Sequence, residues 1–236
     1  MTPYGVTHLV PLALFAVGLC VVVALGRRHR TMPGPTAFSR GLALALPAVM
    51  VPLQIWDFAT RFDLQSTLPF HLCDLTWVAT AFALWTHRPY PAALTCYWGL
   101  VLTPQGIFTP SVEDFPEIWY FGYWALHLMV VWGTVYLVLG LGKVPRWRDY
   151  ATTVATTLVW AVLAYCFNLV ADTNYGYLMH KPDTGSFLDL LGPWPGYVAA
   201  EVAIVAAVWA LLTVVLRPLG RSRTQARGST RTPVRS

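Results

Sequence analysis

The sequence predicts an all-α membrane protein, a polytopic bundle of about seven transmembrane helices. Of its 236 residues 56% are hydrophobic and only 11% are charged, and the apolar residues occur in long runs. A soluble domain carries about 25% charged residues. We therefore expect a single transmembrane helical domain over residues 1–216, followed by a basic, disordered cytoplasmic tail over residues 217–236.

The apolar runs are assigned to spans because about 20 apolar residues cross a bilayer as a helix. The expected spans are 6–25, 39–58, 69–86, 91–105, 117–141, 150–171 and 196–216. The first is expected to be a helix and not a cleaved signal, because its positive charges follow the apolar run. The fourth is short and ends at Thr103-Pro104-Gln105-Gly106, so we expect it to be tilted, kinked or only partly inserted.

The orientation follows from the basic residues, which concentrate in cytoplasmic loops. Of the 16 Lys and Arg residues, 14 fall in one set of alternating loops and in the tail, whereas Arg61 and Lys181 fall in the other set. This predicts a multi-pass protein of the cell membrane with its N-terminus outside and its C-terminus inside. The net charge of +5 is attributed to topology and to contact with anionic lipid, and not to nucleic-acid binding.

Three reactive side chains, His71, Cys73 and Asp74, stand at the start of the third span. An acid or base inside the bilayer costs about 2.5 to 3.5 kcal/mol on insertion scales, so such residues indicate a site. The alternative is a packed polar pair that joins two helices. At about 100° per residue, His71 and Asp74 are neighbours whereas Cys73 points about 160° away from His71.

A base for Cys73 would therefore come from another helix, and His127 lies well inside the fifth span. A thiolate needs a nearby base or a positive helix dipole, and Cys73 lies in the first turns of its helix. The alternatives are that Cys73 is an ordinary core residue and that His127 makes an interhelical hydrogen bond. We expect no metal site, because no third histidine is placed to join His71 and Asp74, and no cofactor.

Further polar residues gather in the same outer half of the bundle, as expected for a cavity that opens outward. Gln54 and Asn168 lie near the ends of the second and sixth spans, and Glu201 lies near the start of the seventh. The amides are candidates for substrate binding or for interhelical hydrogen bonds, and Glu201 for contact with headgroups. The outer loop 172–195, with Asn174 and Lys181, should pack over the start of the third span. Lys181 either meets a phosphate headgroup or is solvated.

Four motifs carry a resemblance to a known family. They are LPFHLCDL from Leu68 to Leu75, LTPQGIFTP from Leu102 to Pro110, TNYGYLMHKP from Thr173 to Pro182, and SFLDLLGPWPGY from Ser186 to Tyr197. In order and spacing they resemble the YwaF-like family of bacterial integral membrane proteins over about residues 40–215. That family is similar to a vertebrate multi-pass membrane acyltransferase that remodels phospholipids, and more remotely to androgen-induced membrane hydrolases of fatty-acid esters.

The resemblance implies a cysteine nucleophile at Cys73 and a histidine at His127. The sequence thus favours a thiol-dependent lipid acyltransferase or acyl hydrolase whose partners are membrane lipids. One rival is a transporter or lipid-binding protein that uses the same cavity without covalent chemistry. Another is a structural membrane protein whose polar residues only fix helix packing. The substrate and the oligomeric state stay open.

Overall fold

The protein is built from helices joined by short connections, in a computed structural model that describes residues 4–110, 112–182 and 187–228. The helices are α1 (Val6–His29), α2 (Ala37–Thr60), α3 (Leu72–Thr86), α4 (Pro89–Tyr97), α5 (Thr103–Phe108), α6 (Ile118–Val135), α7 (Trp147–Ala171) and α8 (Gly196–Gly228). Two π-helical segments, Trp98–Leu102 and Tyr136–Gly140, link α4 to α5 and extend α6. Two short 3₁₀ segments, Tyr175–Tyr177 and Phe187–Leu191, lie between α7 and α8. These ranges contain no strand, which confirms the all-α class.

Among the described residues, five helices are long and apolar enough to cross a membrane: α1, α2, α6 with its π-helical extension, α7, and α8 as far as Pro218. Helix α3 is apolar but shorter. The expected fourth span is a helical run over residues 89–108 with a π-helical segment inside it, and it continues past the expected end at residue 105. That this run is tilted, kinked or only partly inserted stays a prediction. A multi-pass membrane protein is therefore shown, while the count of seven spans and the orientation stay predictions.

Helix α6 is the centre of the bundle. In its most apolar stretch 72% of the residues are buried inside the protein, against 11 to 22% for the other four long helices. Those four present apolar side chains outward, as helices in contact with lipid do. Small residues let α1 approach the end of α6: a Cβ built on Gly140 would lie 2.8 Å from the Cα of Gly26.

Two of the boundaries that differ from those expected have a local physical cause. Helix α3 begins at Leu72 and not at residue 69, because His71 is its N-cap and the Asp74 carboxylate accepts the His71 backbone N–H at 3.1 Å. Helix α8 continues to Gly228, so residues 217–228 are helical where we expected disorder. Arginine is a good helix former, and this lets the helix propagate past its apolar part. Residues 229–236 lie outside the described range.

Candidate functional site

The polar residues at the start of α3 make different contacts. Asp74 fixes the first turn of the helix by accepting the His71 backbone N–H. The His71 ring packs on the ring of Tyr175 with 4.9 Å between their centroids. His71 and Asp74 are thus in contact as expected, but the Asp74 carboxylate bonds the His71 backbone N–H and not the imidazole ring.

Asn168 and Tyr175 hold the outer loop against the protein. The Asn168 side chain is buried; its amide donates to the Tyr175 carbonyl at 2.9 Å, and its oxygen accepts from Thr173 Oγ1 and from the Tyr175 N–H, both at 2.8 Å. The Tyr175 hydroxyl donates to the Leu64 carbonyl at 2.9 Å and accepts from the Leu68 N–H at 3.0 Å. Burial raises the pKa of Tyr175, which keeps this hydroxyl protonated. Asn168 therefore acts as a loop anchor.

Two further side-chain amides bond the connection between α2 and α3, one from α2 and one that reaches the outer loop. Gln54 donates to the Thr67 carbonyl and Gln65 donates to the Asp172 carbonyl, each at 2.6 Å. Gln54, like Asn168, is thus committed to a loop backbone. The prediction that the outer loop packs over the start of α3 is confirmed at Asp172 and Tyr175, whereas residues 183–186 lie outside the described range.

The remaining predicted residues of the outer end stabilise the second half of this loop. The Asn174 side chain bonds the backbone of Met179 and His180. Lys181 lies 3.9 Å from the Asp189 carboxylate and over the Tyr197 ring at 5.6 Å, so it is neither fully solvated nor isolated. Glu201 is partly buried on α8 and makes no hydrogen bond or ion pair within the described residues.

His127 is buried against α5 in an arrangement that fixes its tautomer. Its Nδ1 lies 2.7 Å from the Tyr123 carbonyl, which can only accept, so Nδ1 carries the proton and Nε2 presents a lone pair. The ring packs on Tyr123 and against Gly106, where a Cβ would lie 2.6 Å from His127 Cδ2. Among the described residues, the one hydrogen bond of the His127 ring is made by Nδ1, and none reaches Nε2. Sequence reasoning missed Tyr123 and the role of Gly106, although Gly106 lies in the LTPQGIFTP motif.

Contacts between helices fix the relative direction of the helices around His127. Helices α2 and α6 are antiparallel, because Trp119 bonds Asp57 while Gly122 contacts Leu53. Helices α2 and α3 are also antiparallel, because Ser39 bonds the carbonyl of Leu84 while Gln54 bonds that of Thr67, just before α3. Helices α3 and α6 therefore run parallel.

The register of α3 on α6 places Cys73 and His127 at the same depth. A Cβ on Gly133 would lie 2.9 Å from Thr80 Cγ2, so these two residues are level. On α3, Cys73 lies seven residues before Thr80, and on α6, position 126 lies seven residues before Gly133. Seven residues correspond to a rise of roughly 10 Å along each helix. Cys73 is thus level with the residue that precedes His127.

Cys73 also lies on the side of α3 that faces α6. It shares one helical face with Trp77, Thr80 and Leu84, at spacings of four, seven and eleven residues. Thr80 and Leu84 both contact Gly133 of α6, and Trp77 packs on the core cluster that α6 dominates.

The other three cysteines have different surroundings. All four thiols are free, as expected. Cys20 and Cys166 lie on the outer surface of the bundle, and Cys96 is fully buried. Cys73 alone is partly exposed at the start of a helix.

The comparison with known families decides the identity of this bundle. A family model described as TMEM164 family matches residues 3–213, nearly the whole helical domain. The chain belongs to the TMEM164 family. No curated protein and no solved structure matches it. The TMEM164 family is a multi-pass membrane family, which agrees with the described helices, whereas the resemblance to YwaF-like proteins and to an acyltransferase remains an expectation.

Proposed function

We propose that this TMEM164-family protein is a thiol-dependent acyltransferase or acyl hydrolase of membrane lipids, with Cys73 as nucleophile and His127 as base. The single observation that carries the proposal is the register of α3 on α6. It sets a free thiol on the α6-facing side of α3 level with His127, whose Nε2 receives no hydrogen bond from the described residues. The His127 ring lies against Gly106 of α5 in this structure, so the proposed proton transfer needs the ring to turn toward α3. The reaction would take place in the outer half of a seven-span bundle in the cell membrane.

In the proposed first step, His127 Nε2 takes the proton of the Cys73 thiol. The sulfur attacks the carbonyl carbon of a lipid acyl ester, a carbon–sulfur bond forms and the ester carbon–oxygen bond breaks. The imidazolium returns the proton to the departing alcohol. In the second step His127 takes a proton from water or from a lipid hydroxyl, that oxygen attacks the thioester carbonyl, and the carbon–sulfur bond breaks. The imidazolium then returns its proton to the released Cys73 thiolate.

The oxyanion of these steps needs hydrogen-bond donors. The side-chain amides of Gln54 and Asn168 are poor donors for it, because both already donate to loop carbonyls. The first-turn N–H groups of a helix have no intrahelical acceptor, and Leu72 and Cys73 occupy that turn of α3. Their N–H groups are better candidates because they are already oriented and lie beside the sulfur.

The test is labelling of the full chain, in membranes, by a membrane-permeant probe with an acyl-like electrophile. Cys73→Ala should abolish labelling. His127→Ala should slow labelling by about 10²- to 10⁴-fold, the usual contribution of a general base. Cys166→Ala is the matched control, because that thiol lies on the bundle surface, and it should label at the wild-type rate.

Release or transfer of acyl chains from phospholipid is measured on the same variants, after each is shown to insert at normal levels. Full lipid turnover by Cys73→Ala, or wild-type labelling of His127→Ala, would refute the pair. Saturable lipid binding without turnover in the wild type would instead favour a transporter or lipid-binding protein.

A further inference from the structure

A pocket lies at the opposite end of the bundle from Cys73. It has a volume of about 230 Å³ and lies where the turn from α3 to α4, the segment that follows α6 and the start of α7 meet. Its lining includes His87, Lys143, Arg146 and Asp149. By the charge rule this end faces the cytoplasm, so the pocket is separate from the outer site.

Two cationic side chains are held at the wall of this pocket. Lys143 Nζ donates to the His87 carbonyl at 3.0 Å, and Arg146 Nε lies 3.1 Å from the Asp149 carboxylate. Asp149 is occupied in capping α7, since it also accepts the Arg146 backbone N–H at 2.8 Å. Among the residues that line the pocket, two cationic side chains stand beside one carboxylate.

The backbone adds positive potential to this pocket. Helices α4 and α7 both begin at the pocket, at Pro89 and Trp147, and no acidic residue lies in the first turn of α4. The N-terminus of a helix carries a partial positive charge that favours an anion. Asp149 already caps the N-terminus of α7, so the positive groups at this cavity are the N-terminus of α4, a lysine and an arginine.

The remaining wall of the pocket is apolar and lies near the membrane surface. Ala92, Ala93, Val144 and Pro145 line it. Trp147, 42% exposed, stands beside it, as tryptophans do at membrane interfaces. A glycerolipid could place its phosphate beside the cations and its glyceride part against the apolar wall. A soluble phosphate ester could supply only the anion.

We propose that this pocket binds the phosphate headgroup of an anionic glycerolipid from the cytoplasmic leaflet. A soluble phosphate ester offers the same anion, so the test separates the two sources. The site does not depend on Cys73 chemistry, and its failure would leave the proposed function untouched.

The experiment measures binding of short-chain phosphatidylglycerol, phosphatidylcholine and glycerol 3-phosphate to the full chain in detergent micelles by native mass spectrometry. Wild type should retain phosphatidylglycerol in preference to the other two. Lys143→Gln and Arg146→Gln should each weaken its binding about five-fold, the effect of one basic residue near a lipid phosphate. Arg148→Gln is the matched control, because Arg148 is adjacent in sequence but does not line the pocket, and it should bind as wild type.

A second readout needs no variant that alters the cations. Burial and the charge of Lys143 lower the pKa of His87 to about 4. A phosphate in the pocket should raise the pKa of His87, seen by NMR of histidine-labelled protein with the signal assigned from His87→Asn. Equal binding by all variants, an unchanged His87 pKa with phosphatidylglycerol bound, or binding of glycerol 3-phosphate alone would each overturn the proposal.

Discussion

Replacing Gly106 by alanine tests whether α5 sets the position of the His127 ring. A Cβ at this position would lie 2.6 Å from His127 Cδ2 and 2.8 Å from the Tyr123 hydroxyl oxygen, with Nε2 closer still. Ordinary contact begins at 3.4 Å, so the ring must retreat by about 0.8 Å or more. It cannot do so freely, because Nδ1 is bonded to the Tyr123 carbonyl and the ring is packed on Tyr123.

The expected cost is about 1–3 kcal/mol of stability, the usual effect of overpacking a core. Gly41→Ala is the matched control: it lies inside α2, and its added Cβ would meet nothing within 4 Å. Both substitutions gain up to about 1 kcal/mol of helix propensity, so their difference isolates the clash.

The assay is thermal unfolding of the two variants in detergent, together with probe labelling of Cys73. Gly41→Ala should match or exceed the wild-type Tm, whereas Gly106→Ala should unfold earlier by roughly 2–4 °C per kcal/mol lost. Labelling should slow only in Gly106→Ala, because Nε2 is displaced. If Gly106→Ala behaves as Gly41→Ala in both measurements, α5 does not hold the ring and this account of His127 is refuted.

Three further outcomes are expected. Asn168→Ala should lower the free energy of unfolding by about 2–4 kcal/mol, because it leaves the N–H and carbonyl of Tyr175 buried without partners. It should also make residues 172–178 accessible to protease, and protease resistance equal to that of wild type would contradict this. Because the folded-state pKa of His87 is about 4, below its ordinary value, stability should fall as the pH drops from about 6.5 to 4, and this fall should be smaller in His87→Asn. A C-terminal alkaline phosphatase fusion should be inactive, since the charge rule places that end inside; an active fusion would reverse the orientation.

The sequence predicted the long helices well and the local contacts poorly, for a physical reason. Apolar runs and basic residues are properties of side chains, so the expected spans in α1, α2, α6 and α7 lie within a few residues of the observed helices. The amides of Gln54 and Asn168 were located correctly, but they bond backbone carbonyls, which every residue possesses. A sequence pattern therefore cannot name their partners.

The same limit explains what was missed at the two candidate sites. Gly106 and His127 contact one another across a separation of 21 residues, and His87 and Lys143 across 56. Such pairs depend on the register between helices, and that register is fixed by small contacts such as Thr80 on Gly133. Hydropathy carries no information about it.

The same helix cap occurs at the two candidate sites, and it allows a structural role of Asp74 to be distinguished from a chemical one. Asp74 and Asp149 each stand three residues after an N-cap and accept its backbone N–H, at 3.1 and 2.8 Å. If Asp74 is only a cap, Asp74→Asn should keep an acceptor oxygen and retain Cys73 labelling, while Asp74→Ala should lose about 1 kcal/mol of stability, as Asp149→Ala should. If Asp74→Asn instead abolishes labelling while its Tm stays at the wild-type value, the carboxylate charge takes part in the reaction. The capping account of Asp74 would then be incomplete.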